Sequence, residues 1–367
     1  MTVFRITLWP GHDGDCVLMS WGPSPDALRH ALIDLGRAST YRKVRPRLEA
    51  LGDLELFVMS HVDADHIAGA MPLVREDNPP FAPRRVWFNA REHLETAAER
   101  RRGLASIESL GAVQGERLDR GLRKFRWPWN RQFESRVVST DSPEAGAPLE
   151  IAAGLRLRLL SPGDEQLDAL RPSWDADVHR AGLTSLAAEP EILEAPRGFE
   201  VFGTRPNVEE LAAERYERDT TRANGTSIAF LAEYAGRRAL LAADAHSEVL
   251  EEALEPLARA EGGRLRLDLL KVSHHGSKAN TSPDFLRRID CRRFAFSTNG
   301  ARHEHPDPQT VARVLAADPL RDKVLYFNYR QPSSELWESR WLERRWRYRC
   351  VMPDQAAPEG GTLAIEL

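Results

Sequence analysis

The segment His61-Val62-Asp63-Ala64-Asp65-His66 gathers two imidazoles and two carboxylates within six residues. These are the side chains that bind divalent metals when no thiolate is offered. The segment follows Leu54–Ser60, an apolar run that reads as a buried strand. A turn from strand into helix lets alternate side chains converge, which a regular helix does not. A helix cap at Asp65 would account for one carboxylate and for neither histidine. Two later segments carry matching groups. Asp244 ends the apolar run Leu240–Ala243, where it could bridge two ions or, taken alone, cap a helix. His274 and His275 close the run before Gly276, Ser277 and Lys278, with the choice of ligand between the two histidines left open. Carboxylate and imidazole at three strand ends describe an α/β active site.

The elements that must position these groups have a mixed character. Thr2–Trp9, Cys16–Trp21 and His30–Asp34 are short β-type runs separated by Gly, Asp and Pro, and a helix is expected over Tyr41–Leu51. The next helix is expected over Ile67–Val74 and the next strand over Arg85–Asn89. After Leu155–Leu160, the β/α alternation resumes at Ser227–Tyr234 and Arg238–Ala243, then helix Ser247–Ala260 and strand Leu267–Val272. Helix Pro283–Ile289, strand Arg293–Thr298, helix Gln309–Ala317 and strand Val324–Asn328 complete the pattern. The class is α/β with a mixed sheet. Candidate chemistry runs from Asp34 to His305, so the expectation is one domain over 1–367 with insertions at about 91–150 and 164–223.

A net charge of −4 argues against a chain that coats nucleic acid or an anionic membrane over its whole surface, while allowing a local basic site. Only five of the 51 basic residues are lysines, which would suit phosphate binding, although a GC-rich coding bias gives the same pattern and is the preferred reading. Cys16, Cys291 and Cys350 stand alone, with no disulfide framework or zinc-cluster spacing. The first residues lack a signal-peptide layout, and no apolar run reaches membrane-spanning length. A cytoplasmic protein is expected.

At these residues the chain resembles the metallo-β-lactamase superfamily of metal-dependent hydrolases, whose usual signature is HxHxDH. Here Asp63 takes the place of the second histidine. Within that superfamily it most resembles the branch that holds the nuclease domain of the competence DNA-uptake protein ComEC. The matching features are His61 to His66, Asn224-Gly-Thr-Ser227, Ala243–Asp244, His274 to Ser277, Glu304-His305-Pro306, the Asp34-Leu-Gly turn and Gly14–Asp15–Cys16. The departures are Ala243 and Glu304, each in place of a glycine. The resemblance covers about 1–88, 155–162 and 224–328. It implies an αββα sandwich with two metals: one on His61 and Asp63, the other on Asp65 and His66, sharing Asp244, with His274 or His275 completing a shell. It implies that Asp34 buttresses the metal loop.

Two such cations lower the pKa of a bound water from about 15.7 toward 7 and clamp attacking and leaving oxygens, which suits phosphodiester hydrolysis. A carboxylate in place of an imidazole hardens the site, so manganese is the expected metal and zinc the runner-up. Asp65 or the activated hydroxide would handle the proton. His305 is a candidate proton donor or a support of its own loop, and Asn224, Ser227, Ser277 and Lys278 are candidate substrate contacts.

The expected activity is a nuclease acting on DNA or RNA. The alternatives are hydrolysis of a small ester, lactone or β-lactam, and a metal-stabilised binding module of a partner effector. Basic and aromatic residues at 117–131 (among them Trp127, Trp129 and Arg131) and at 337–349 are candidate nucleic-acid surfaces, although Trp337 and Trp341 also fit one buried helical stripe. The acidic residues of 164–223, including Asp164, Asp168, Asp175, Asp177, Glu189, Glu191 and Glu194, read as a gate that a regulatory protein or protease would displace.

Overall fold

A computed structural model describes residues 1–102, 112–181, 205–354 and 360–367 of the chain. The early strands are β1 (Val3–Leu8), β2 (Val17–Gly22), β3 (Arg29–Ile33), β4 (Leu56–Val58) and β5 (Val86–Trp87). Next come β6 (Leu149–Ala152), β7 (Leu155–Ser161), β8 (Ala229–Tyr234), β9 (Arg237–Leu241), β10 (Leu265–Leu267) and β11 (Leu269–Lys271). The last are β12 (Ile289–Cys291), β13 (Arg293–Phe296), β14 (Lys323–Phe327), β15 (Tyr348–Val351) and β16 (Leu363–Glu366).

They build two mixed sheets. The first has the order β16-β1-β2-β3-β4-β5, antiparallel up to β3 and parallel from β3 to β5. The second has the order β15-β14-β13-β11-β9-β8-β7-β6, parallel from β15 to β9 and antiparallel beyond. A short parallel pair, β10 with β12, stands apart.

Side-chain alternation along the strands sorts the core into three layers. Ala31, Ile33, Leu56 and Val58 of the first sheet meet Leu157, Phe230, Leu241 and Leu269 of the second, so the two sheets face each other. The intervening Leu32 and Phe57 point the other way, into a layer with Tyr41, Ile67, Leu94 and Leu118 from helices. Leu240 and Leu270 likewise point outward, to Leu250, Phe285, Val311 and Leu315. The order is therefore helices, sheet, sheet, helices, as the sandwich expectation required.

Several expected elements are shorter or differently divided. The run 54–60 is a strand only over Leu56–Val58, because Ser60 turns away to bond Asp34, and the run 85–89 pairs only at Val86–Trp87. The helix expected at Ile67–Val74 is two single turns, Ala64–Ile67 and Ala70–Leu73. Trp337 is buried but Trp341 is 54% exposed, because the helix breaks between Glu335 and Arg340. The buried stripe there is Leu342 and Trp346.

The two segments that read as insertions pack together. Helix Asp164–Ala181 lies against helices Arg91–Arg102 and Ala112–Phe125, and Trp174 is buried over Gly115, where a Cβ would lie 2.5 Å from the indole. Asp164 pairs with Arg100 at 2.5 Å and Asp168 with Arg101 at 3.1 Å, both carboxylates being buried, so neither serves as an exposed acidic gate. Glu189, Glu191 and Glu194 lie outside the described residues, as do the side chains of Asp175 and Asp177. Trp127 is buried against Phe81, and the Trp129 indole N–H donates to the Phe88 carbonyl, so these two rings are packing groups rather than a stacking surface. Among the described residues no helix is long and apolar enough to cross a membrane.

Candidate metal centre

The histidines and acids singled out above come together where parallel strands of both sheets end. Asp34 follows β3, the His61–His66 loop follows β4, Asp244 follows β9, and His274 and His275 follow β11. The turn between β1 and β2 locks onto the loop from outside. Gly14 sits so close to it that a Cβ would meet the Asp65 carbonyl at 1.7 Å. The backbone is left-handed at Asp34, Ala243, His274 and His275, with φ of 59°, 45°, 46° and 54°. Such conformations cost energy outside glycine and cluster at functional sites.

Each histidine has its Nδ1 occupied by a neighbour. His66 Nδ1 donates to Asp34 Oδ2 at 2.8 Å, and His275 Nδ1 to the Ser297 carbonyl at 2.9 Å. His274 Nδ1 donates to Asn280 Oδ1 at 2.8 Å. Ser60 Oγ gives its own proton to Asp34 Oδ2 at 2.6 Å, so it accepts from His61 Nδ1 at 3.0 Å. Asp34 thus buttresses the loop through both Ser60 and His66. With Nδ1 protonated in every ring, the four Nε2 atoms are left as lone-pair donors.

All four converge on one oxygen. Asp244 Oδ2 lies 3.9 Å from His61 Nε2, 3.3 Å from His66 Nε2, 3.7 Å from His274 Nε2 and 3.5 Å from His275 Nε2. Asp65 Oδ2 is 3.2 Å from His275 Nε2 and 3.7 Å from His66 Nε2. Asp63 Oδ2 is 3.7 Å from His61 Nε2, and its side chain is 38% exposed, facing solvent. The lone pairs of His66 and His275 meet at 3.2 Å. His61 Nε2 and Asp244 Oδ1 are buried with no hydrogen-bond partner. Electron-pair donors packed this way repel unless cations lie among them, so the residue set fits divalent metal. One compact group is Asp65, His66, Asp244 and His275.

Without metal, protons play the cation's part. Burial favours the neutral imidazole of His275, yet Asp244, Asp15 and Asp65 push its pKa up to about 10. His66 is raised well above the usual range against the same burial, by Asp244, Asp34 and Asp65. Burial would raise the Asp244 and Asp65 carboxyls, but the surrounding histidines hold both well below the carboxylate range.

The expected substrate contacts divide. Ser227 is fully buried and its hydroxyl accepts the Asp244 N–H at 3.3 Å, which places it beneath the site. Asn224 is buried behind His274, its Nδ2 within 3.3 Å of His274 Nδ1. Ser277 Oγ accepts the Ala279 N–H within its own turn, while Lys278 is exposed. The His305 ring stands 5.4 Å from that of His274, and its Nδ1 is 3.5 Å from Asp307 Oδ2.

Sequence reasoning missed Asp219, which accepts from Asn224 Nδ2 at 2.7 Å and Asn280 Nδ2 at 3.0 Å and lies 3.6 Å from His274 Nδ1. It also missed the buried Lys271–Asp15 ion pair beside His275, Asp15 Oδ1 being 3.5 Å from His275 Nδ1. Asp219 belongs to a stretch that read as an insertion, and only its carboxylate marks it in the sequence.

No family model and no curated protein matches this chain. Among solved structures it is similar to a "putative metal-dependent hydrolase" from Parabacteroides distasonis ATCC 8503. That match has 9% identity over 93% of this chain and 95% of the other, with a TM-score of 0.32.

Proposed function

We propose that the chain is a metal-dependent hydrolase of the metallo-β-lactamase type, acting on phosphodiester bonds of DNA or RNA. The observation that carries the reading is the convergence of four Nδ1-anchored histidines on the single oxygen Oδ2 of Asp244. Two divalent cations are expected. His61, Asp63 and His274 would hold one, Asp65, His66 and His275 the other, and Asp244 would be shared. Manganese is favoured over zinc because three carboxylates harden the set. Such a pair, when bound, supplies water activation at neutral pH and charge neutralisation on a phosphoryl group.

The chain's own groups do the rest. Asp34, Ser60, Asn280 and the Ser297 carbonyl fix ring orientation before any ligand arrives. Asp63 and Lys278 stand on the solvent side, where a substrate enters. His305, whose Nδ1 lies 3.5 Å from Asp307 Oδ2, would give a proton to the leaving oxygen. The ComEC-like features, His274 to Ser277 above all, favour a nuclease.

A second reading, hydrolysis of a small ester or diester, draws support from the inward packing of Trp127 and Trp129, which removes one stacking platform for a polymer. The test is cleavage of labelled single- and double-stranded DNA and RNA with manganese, beside bis-p-nitrophenyl phosphate and an Asp63→Ala control. Polymer cutting that needs metal and disappears in the control is expected. Turnover of the small diester alone would move the assignment to the second reading. Metal-loaded protein inert on every substrate would overturn both.

A further inference from the structure

A cavity of about 710 Å3 opens at the end of the strands remote from the metal centre. Arg29 starts β3, Glu55 precedes β4, and Arg84 and Arg85 precede β5, whereas the metal loop and Asp34 follow the far ends of β3 and β4. Because these strands are parallel, the strand bodies separate the two regions. Arg131 completes the basic wall, and Pro128, Ala152 and Ala153, none of them buried, supply an apolar side.

The charges in this cavity do not balance. Four guanidiniums surround one carboxylate, that of Glu55, which is buried. Arg29 pairs closely with Glu55. Arg84 and Arg85 reach it only at 3.5 Å and 3.6 Å, beyond good hydrogen-bond range. Arg84 also lies 3.9 Å from Asp53, an exposed and loose pair. Guanidinium forks of this kind match phosphate oxygens two at a time, and the cavity volume is in the range of small-ligand sites.

We propose that this cavity is a second binding site, separate from the metal centre, for a phosphorylated small molecule of nucleotide size. The arginines hold adjacent phosphates, and Pro128, Ala152 and Ala153 face the ligand's less polar part. Because the site lies across the strand bodies from the metals, the ligand is an effector or an anchor and not the substrate. The inference stands whatever bond the metal centre cleaves.

The test is isothermal titration calorimetry of the full chain, stripped of metal by chelator and at low ionic strength, with ADP and with pyrophosphate as probes. The expected result is saturable binding of both, with ADP at least fivefold tighter. Arg84→Ala with Arg131→Ala, two exposed positions, should weaken both at least tenfold with the melting temperature unchanged. Asp63→Ala should leave binding as it was. Absence of ADP binding, or binding indifferent to the arginine pair, would overturn the site. Sensitivity to Asp63→Ala would assign the binding to the metal centre instead and overturn it as well. Equal affinity for the two probes would overturn the nucleotide-sized ligand.

Discussion

At the level of single residues, the metal centre is a balance between protons and cations. His275 carries a pKa pushed up to about 10, from an ordinary 6.5, by the acids around it. A base whose folded pKa is raised stabilises the fold fully below its unfolded value, and that stabilisation is lost as pH climbs through the folded value. Metal-free protein should therefore lose melting temperature as pH rises above 6.5. A bound cation replaces the proton, so the gain in melting temperature from added manganese should grow between pH 6.5 and 8.5. A gain that is flat across that range would contradict the assignment. Asp219 offers a second test. It holds Asn224 and Asn280 against His274, so Asp219→Ala should weaken metal affinity about 10- to 100-fold, read by chelator competition, with little change in circular dichroism. An unchanged affinity would mean that Asn280 alone orients the ring. The ligand candidates were legible because His61 to His66 concentrates uncommon side chains in one turn. Asp219, Asn280 and the Ser297 carbonyl were not, because their hydrogen bonds are assembled only by the fold, with no spacing in the sequence to mark them.

At the level of elements, two left-handed residues stand where the resembling proteins carry glycine. Ala243 has φ 45° and Glu304 φ 56°, at the turns that present Asp244 and His305. A side chain in that conformation costs about 1–2 kcal/mol, and glycine returns about 0.5–1 of it as lost chain entropy. Ala243→Gly and Glu304→Gly should each raise stability by roughly 0.5–1 kcal/mol, measured by urea denaturation. A loss of stability would show that contacts of the replaced side chain outweigh the backbone strain. The β/α alternation on either side of these turns was readable from apolar runs. The extents of β4 and β5 were not, since pairing stops where Ser60 and Phe88 are drawn into side-chain hydrogen bonds, with Asp34 and Asn130. Helix Asp164–Ala181 was hidden by its charge, although Leu167, Leu170 and Trp174 line its inner face.

Across the whole molecule, the first sheet is completed from the far end of the sequence. Leu8 pairs with Leu363 and Arg5 with Glu366, and Ile365 is buried between the sheets. Ile365→Ala should cost roughly 2–5 kcal/mol, the range for a truncated core aliphatic, and lower the melting temperature of both metal-free and metal-loaded protein. A change under about 0.5 kcal/mol would mean that β16 contributes little to the sandwich. The α/β class with a mixed sheet followed from the alternating runs and the two-sheet sandwich from the resemblance, but this pairing followed from neither, because a four-residue strand carries no signal that names a partner so distant in sequence. That pairing also has a consequence for how the protein is made. At about 5–20 residues per second, a ribosome needs roughly 20–70 seconds after producing β1 to produce β16. Throughout that interval β1 presents an uncovered row of amide and carbonyl groups, the kind of edge on which nascent chains associate. Slower elongation should therefore lower the yield of native protein, and a chaperone that shields that edge should restore it.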